Sequence, residues 1–348
     1  MIYFNNDYSE GCHPRILERL VQSNFEQTPG YGVDAYCQKA ASHIRRLCGK
    51  EDIYVHFLVG GTQTNLTVIA AALRAHQGVI GADTAHIHVH ETGAVEAVGH
   101  KVLSLPSPDG KLRADQIDAV VVSHYMDEAA EHTVQPGMVY ISNPTELGTL
   151  YSRAELEAIS KICRKHGLYL FMDGARLGYG LTADGNDLEL TDIARLCDVF
   201  YIGGTKVGAL FGEAVVITDA ALAKDFRYLM KQRGGMLAKG RLLGIQFDAL
   251  FEDGLYFEIA KRANSMADQI RRTIQSLGYR FLVPGRTNQI FPILPDTLLE
   301  SLAHRFSFSE QVRVDDTHRA VRFCTSWATT QENTDALCAE LIHLSGKM

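Results

Sequence analysis

Two groups in this chain are well placed for chemistry: a carboxylate and a lysine, each delivered by an apolar run into a turn of small residues. The first lies in Tyr169-Leu170-Phe171-Met172-Asp173-Gly174-Ala175-Arg176 and the second in Tyr201-Ile202-Gly203-Gly204-Thr205-Lys206. A lysine amine held among Gly203, Gly204, Thr205, Val207 and Gly208 is desolvated, which lowers its pKa and makes it a nucleophile toward an aldehyde. A carboxylate set against a pyridine nitrogen keeps that nitrogen protonated and turns the ring into an electron sink. Together they are what an enzyme needs to hold pyridoxal phosphate: Lys206 for the Schiff base and Asp173 for the ring nitrogen. Plainer roles stand beside these. Lys206 can be a surface lysine in a glycine turn, and Asp173 can cap a helix starting at Gly174. Arg176 can pair with Asp173 or sit beside the cofactor's phenolic oxygen.

Two more strings bear on a site. Gly60-Gly61-Thr62 opens a helix directly after a strand, where exposed backbone amides bind a phosphate and glycine permits close approach. No Gly-x-x-x-x-Gly-Lys-Ser/Thr loop occurs, so Lys206 does not belong to a nucleotide-phosphate loop. His86-Ile87-His88-Val89-His90-Glu91 supports two sharp readings. On a strand the three histidines face one side, like part of a metal site. Alternatively one ring stacks on a pyridine and another faces the substrate. The plain reading is a polar strand end or helix start with solvated histidines. A metal centre needs further ligands to which nothing in the chain points, so no metal is expected.

The elements that must position these residues are strands alternating with helices. Residues 54–59 form a short apolar run, followed by a helical pattern with Leu66, Ile69, Ala72 and Leu73 on one face. Residues 138–141 form another run; Ser152 and Glu155 then form a capping box, opening a helix that Gly167 ends. Residues 199–202 and 214–218 supply further strands. Such runs, separated by helices, predict a mostly parallel central sheet flanked by helices in an α/β fold. Ligands gather at the carboxyl ends of such strands, where Gly61, Asp173 and Lys206 fall. After about residue 250 the pattern changes to a long helix over 255–277, short strands at 288–294 and 320–325, and a closing helix from about Thr334. The expected division is therefore 1–250 as an N-terminal arm plus a large α/β domain, and 251–348 as a smaller α+β domain.

Composition narrows the function classes. The chain has 348 residues, 46% hydrophobic and 22% charged, with a net charge of −7. That charge, with no basic tract, argues against nucleic-acid binding. The sequence has neither a signal-peptide pattern at Met1-Ile2-Tyr3-Phe4 nor an apolar run of the about 18 residues needed to span a membrane. Seven scattered cysteines without a Cys-x-x-Cys pair predict reduced core residues in a cytoplasmic protein.

Taken together, these strings resemble the threonine aldolase and β-eliminating lyase family of fold-type I pyridoxal-phosphate enzymes, over nearly the whole chain. The resemblance rests on Asn6-Asp7-Tyr8-Ser9-Glu10-Gly11 with His13-Pro14, Gly30-Tyr31-Gly32-Val33-Asp34 and Gly61-Thr62-Gln63-Thr64-Asn65. It extends to His86 with Glu91-Thr92-Gly93-Ala94, Asp173-Gly174-Ala175-Arg176, Thr205-Lys206, Lys239-Gly240-Arg241 and Arg322-Phe323-Cys324-Thr325. It implies that Lys206 bonds the cofactor, Asp173 meets the ring nitrogen and His86 stacks on the ring. Gly61, Thr62, Arg176 and Thr205 then complete the cofactor site, and Arg322 clamps the substrate carboxylate with its planar fork. It also implies a homodimer or homotetramer with sites at the subunit interface. Tyr31 and the cluster Lys231, Arg233, Lys239 and Arg241 would serve a neighbour's site; the cluster's plain reading is a solvated basic face. The chain departs from better-known members at Asn6, usually serine, and at Asn143-Pro144-Thr145-Glu146-Leu147-Gly148, where a histidine near the substrate hydroxyl is usual. His90 stands where an aromatic or apolar residue is expected. Asn6, Glu146 and His90, with Tyr31 and Arg322, are accordingly the expected substrate contacts.

The implied reaction is retro-aldol cleavage of a β-hydroxy-α-amino acid, threonine or allo-threonine, to glycine and an aldehyde. The base for the β-hydroxyl proton is open among His88, His90, Glu146 and a bound water, with histidine slightly favoured by its pKa. The nearest rivals are β-elimination and cleavage of a phenylserine-type substrate. A rival of another class is a metal-dependent hydrolase built on His86, His88 and His90.

Overall fold

The apolar runs are buried on both faces and assemble as the layers of one sheet. The computed structural model describes residues 1–346. A two-residue strand, β1 (Ile2–Tyr3), precedes β2 (Tyr54–Leu58), β3 (Gln77–Ala82), β4 (Val102–Leu105) and β5 (Gln135–Ser142). Then follow β6 (Tyr169–Asp173), β7 (Val199–Gly203) and β8 (Glu213–Ile217), and β2 to β8 form a seven-stranded sheet ordered β2-β8-β7-β6-β5-β3-β4. From β7 to β4 all neighbours run parallel, whereas β8 is antiparallel to both β7 and β2. The sheet is mostly parallel, as its sequence pattern predicts, and within it β8 alone begins on the edge where the others end.

Local signals place the helices. Ser152 and Glu155 form the reciprocal capping box of the Arg153–His166 helix, and Gly167 ends it in the left-handed conformation at φ 66°. The Gly61–Ala72 helix starts directly after β2 at extended Gly60, with no side-chain cap. The segment at His86 is a correction. His86–Val89 is a single helical turn ending at His90, not a strand, so His88 does not share the face on which His86 and His90 meet. Over five residues the alternating pattern does not separate a strand from a helical turn.

The long helix is Leu255–Ser276. Its first half packs Leu255, Ile259 and Ala263 into the core beneath the large sheet, and its second half packs Ala267, Ile270 and Ile274 into a separate core. That second core gathers Ile290, Leu294, Leu298, Phe306, Phe323 and Leu341 from β9 (Gln289–Ile290), β10 (Ile293–Pro295), β11 (Phe306–Ser307), β13 (His318–Cys324) and their helices, while the exposed β12 (Ser309–Arg313) pairs with β13. The one strand expected over 288–294 is split into β9 and β10 around Pro292, which has no N–H to give a ladder. Phe4 is also in this core, and β1 pairs in parallel with β11 through Ile2 and Phe306. The N-terminus thus lies against elements near the other end of the chain.

Candidate active site

The edge where β5, β6 and β7 end, at Ser142, Asp173 and Gly203, carries a cavity of about 320 Å³. Gly60, Gly61 and Thr62 line it from the turn after β2, and Thr205 and Lys206 from the turn after β7. His86, Glu146, Asp173, Arg176, Tyr201 and Glu213 complete the wall. Strand ends far apart in sequence therefore converge, because parallel strands deliver their carboxyl ends to one side.

Asp173 is 6% exposed and held by donors on both oxygens. Oδ1 accepts the Ala175 amide at 2.9 Å; Oδ2 accepts the Tyr140 hydroxyl and the Asn65 side-chain amide, the latter at 3.3 Å. The Asn65 Nδ2 also donates to Glu91 Oε1 at 2.7 Å, and Glu91 Oε1 lies 2.7 Å from His86 Nδ1. One hydrogen-bonded path therefore runs from Asp173 to the His86 ring. Burial, then the Asp173 charge, pushes the Tyr140 phenol upward, which keeps it a donor.

Lys206 is half-buried and faces the cavity. Burial, reinforced by Arg176, lowers its amine pKa, while Asp7, Asp173 and Glu213 hold it up. Thr205 Oγ1 donates to Glu213 Oε1 at 2.9 Å, and burial pushes the Glu213 carboxyl up to about 8. Arg176 does not pair with Asp173. Its Nε and Nη2 donate to the two oxygens of Asp7 at 2.7 and 2.9 Å, a bidentate and almost fully buried pair. Asn288 Nδ2 donates to Asp7 Oδ2 at 2.9 Å. Burial alone raises the Asp7 carboxyl, but the Arg176 and Lys206 charges outweigh it and hold it below its usual range.

The remaining expected residues separate into three groups. Glu146 lines the cavity, its Oε1 accepting the His86 amide at 2.9 Å and the Ser142 hydroxyl at 2.7 Å, and burial raises its carboxyl. His90 is exposed but its ring lies 5.6 Å from that of His86; burial, then His86 and Arg322, lowers its pKa. His88 is exposed. Arg322 sits outside the cavity wall, donating from Nη2 to the Asn5 carbonyl at 2.7 Å and from Nη1 to Gln289 at 3.2 Å. Its Nε is buried without a partner among the described residues. Asn6 turns its side chain back, accepting the Tyr8 amide and the Ser9 hydroxyl, each at 3.0 Å. Tyr31 is not brought to the cavity. It is 47% exposed on another face, at φ 63°, with the Lys231 ammonium 4.8 Å above its ring.

The donor set fits pyridoxal phosphate. The uncapped first turn at Gly61 leaves backbone N–H groups for a phosphate, and a Cβ at Gly60 would meet nothing within 4 Å, so the approach is open. An amine and a saturated carboxylate share the same cavity. The metal reading of the histidines fails on geometry: the helical turn splits them, and His86 Nδ1 is committed to Glu91. Comparison with known proteins decides the family. The family model described as beta-eliminating lyase matches residues 10–296. The chain belongs to the β-eliminating lyase family. It is a pyridoxal-phosphate-dependent lyase with the fold of fold-type I enzymes. It is 32% identical over 343 residues to the low specificity L-threonine aldolase of Pseudomonas sp. (strain NCIMB 10558), covering 97% of this chain and 96% of that one. To the low specificity L-threonine aldolase of Pseudomonas aeruginosa it is 30% identical over 346 residues, covering 97% and 96%. The solved threonine aldolase of Leishmania major superposes with a TM-score of 0.96 at 46% identity, over 99% of this chain and 100% of that one.

Three residues that shape the site carry no role in the sequence reading: Glu213 in the wall, and Tyr140 and Asp7, which bond to the wall residues Asp173 and Arg176. Tyr140 is hidden inside an apolar run. Asp7 is visible only as part of a motif. Glu213 has a readable signal, an acid opening the apolar run 214–218, seven positions after Lys206.

Proposed function

We propose that the protein cleaves the Cα–Cβ bond of a β-hydroxy-α-amino acid, threonine or allo-threonine, to glycine and an aldehyde by retro-aldol chemistry. The observation that carries this reading is the meeting of Lys206, Asp173 and the uncapped Gly61 helix in one cavity. When bound, the cofactor supplies an electron sink for the pair left on Cα as the bond breaks. Lys206 Nζ would be the group that holds the cofactor covalently. Asp173 holds a proton on the ring nitrogen; its donors fix the carboxylate so that the charge is placed before reaction begins. Gly61 and Thr62 would hold its phosphate, with Thr205 beside them in the cofactor site. His86, oriented by Glu91, would stack on its ring, and Arg176, oriented by Asp7, would lie beside its phenolic oxygen.

For the β-hydroxyl proton the geometry favours Glu146 over the exposed His88 and His90. Glu146 is in the cavity wall, and its raised carboxyl is a better base than an ordinary one. His90 and Asn6 border the substrate, and the unpartnered Nε of Arg322 supports its role as the carboxylate clamp. We read the active form as a homodimer or homotetramer in which Tyr31 and the Lys231 cluster face a neighbour's cavity. Exposed Phe25 (95%), Val21 (76%) and Tyr228 (76%) support a covered surface. The two cores support a division into a large and a small part, with the crossing inside the long helix between Ala263 and Ala267 rather than at 250. Cytoplasmic placement is supported by seven free, buried cysteines. Among the described residues no helix is long and apolar enough to cross a membrane.

The test is turnover of L-threonine, L-allo-threonine, phenylserine and a β-substituted alanine, with glycine, aldehyde and pyruvate measured separately. Glycine with acetaldehyde is expected from the first two. Pyruvate from the substituted alanine without glycine from any substrate would overturn the aldolase reading.

A further inference from the structure

Glu213 is the one acid of the cavity wall that the proposed reaction leaves idle. It is 3% exposed, and the reversed strand β8 brings it there. In register it faces Gly203 at the end of β7 and Leu58 at the end of β2, between the turn that carries Lys206 and the turn that carries Gly61. The loop joining β7 to β8 is closed on itself: Gly204 and Thr205 amides donate to the Gly212 carbonyl at 2.9 and 3.1 Å, and the Gly212 amide donates to Thr205 Oγ1 at 3.0 Å. Lys206 follows Thr205 inside that loop and Glu213 follows Gly212 out of it onto β8, and both open onto the cavity. Glu213 Oε1 is taken by the Thr205 hydroxyl, whereas Oε2 is buried with no partner among the described residues. A buried carboxylate oxygen without a donor is unfavourable unless a cation or a proton satisfies it.

We propose that Glu213 is the proton partner of Lys206 across the cavity they share: Oε2 takes the ammonium proton, relayed by a water in that cavity, whenever the amine must be free to bond, and returns it when the amine leaves. The step moves one proton, turning ammonium and carboxylate into amine and carboxylic acid, and changes no other bond. The inference rests on Lys206 being the cofactor lysine. Glu213 acts through Lys206 and is therefore a positioning residue. The electrostatics agree. Burial raises Glu213 to about 8 against the pull of the lysine charge, and lowers Lys206, so the two proton affinities are driven toward each other. The other titratable groups acting on the pair are Asp173 from β6, Tyr201 from β7, Tyr256 from the long helix, and the Asp7–Arg176 pair, while β2 presents apolar Leu58.

The experiment follows cofactor uptake by the apoenzyme. Pyridoxal phosphate is added to wild type, Glu213→Gln and Glu213→Asp across a pH series, and the rate of appearance of the visible absorption band is recorded. The anionic carboxylate holds the lysine protonated to higher pH, so its removal frees the amine earlier. The midpoint of the rise in rate is expected to fall by about one unit in Glu213→Gln, a tenfold change in proton affinity, and to return toward wild type in Glu213→Asp. Equal midpoints in wild type and Glu213→Gln overturn the inference. A wild type that never gains the band overturns instead the reading of Lys206 on which it rests. Infrared titration of the apoprotein gives a second measure, independent of whether Glu213→Gln folds. The carboxylic-acid absorption of Glu213 is expected to persist to higher pH in Lys206→Ala than in wild type, and an unchanged midpoint overturns the pairing.

Discussion

The two sides of the cavity are built on opposite principles. Asp173 is saturated, with the Ala175 amide, Tyr140 and Asn65 all donating to it. Across from it, Glu213 keeps one oxygen unpartnered and Lys206 has its amine lowered by burial and Arg176. Saturation fixes a charge in place, as a group meant to stay ionised requires. Shortage leaves a proton free to move, as a group that must bond, leave and bond again requires. On the proposed reading one wall holds and the other exchanges.

The largest expected break is on the exchanging side. Lys206→Ala should lower turnover by at least about 10³-fold and abolish covalent trapping of the cofactor by borohydride, because no other amine lines the cavity among the described residues. Retained trapping would move the covalent role elsewhere. Next comes the holding side. Asp173→Asn removes the charge and sets an amide where Tyr140 and Asn65 already donate; kcat is expected to fall by about 10²-fold or more, with folding intact by circular dichroism.

Asp7→Asn separates placement from chemistry. It leaves the buried Arg176 charge without its anion, which should cost about 3–5 kcal/mol in denaturant unfolding. The sign with pH follows from the depressed Asp7 carboxyl. Its stabilisation is complete above the ordinary carboxylate pKa and is lost as pH falls through the lower native value. The acid limb of a wild-type stability curve should therefore be steeper than that of Asp7→Asn, and superimposable limbs would contradict the pairing. Tyr140→Phe sharpens the comparison at smaller scale, removing one of the Asp173 donors for about 1–2 kcal/mol and about a tenfold loss in kcat. The smallest effect is at exposed His88, where His88→Asn should shift stability by less than about 0.5 kcal/mol and leave kcat within twofold.

Much of this was legible in the sequence because strand ends are legible. Asp173, Lys206 and Gly61 each terminate an apolar run, and a parallel sheet brings such termini together whatever the connections do. Arg176 was placed beside the right residues, but its partner was not readable. Asp7 lies 169 positions away and is reached only through the path of the N-terminal arm. Glu213 escaped notice because strand direction is not written in an apolar run; parallel, β8 would carry its first residue to the far edge. Tyr31 stands outside the cavity of its own chain, so its expected role depends on a second copy.

The arm that carries Asp7 ties the beginning of the chain to its end. Asn5 is bound by Arg322 across 317 positions, and Asp7 by Asn288 across 281. A chain emerging from the ribosome can lay down the large sheet and the Gly61, Asp173 and Lys206 turns early, but Asn5 and Asp7 must wait for Asn288 and Arg322 to be made. Synthesis cut short near residue 280 would encode every residue lining the cavity and still leave Asp7 without its amide and Arg322 unmade. Completion of the site is in effect a receipt for synthesis through Arg322.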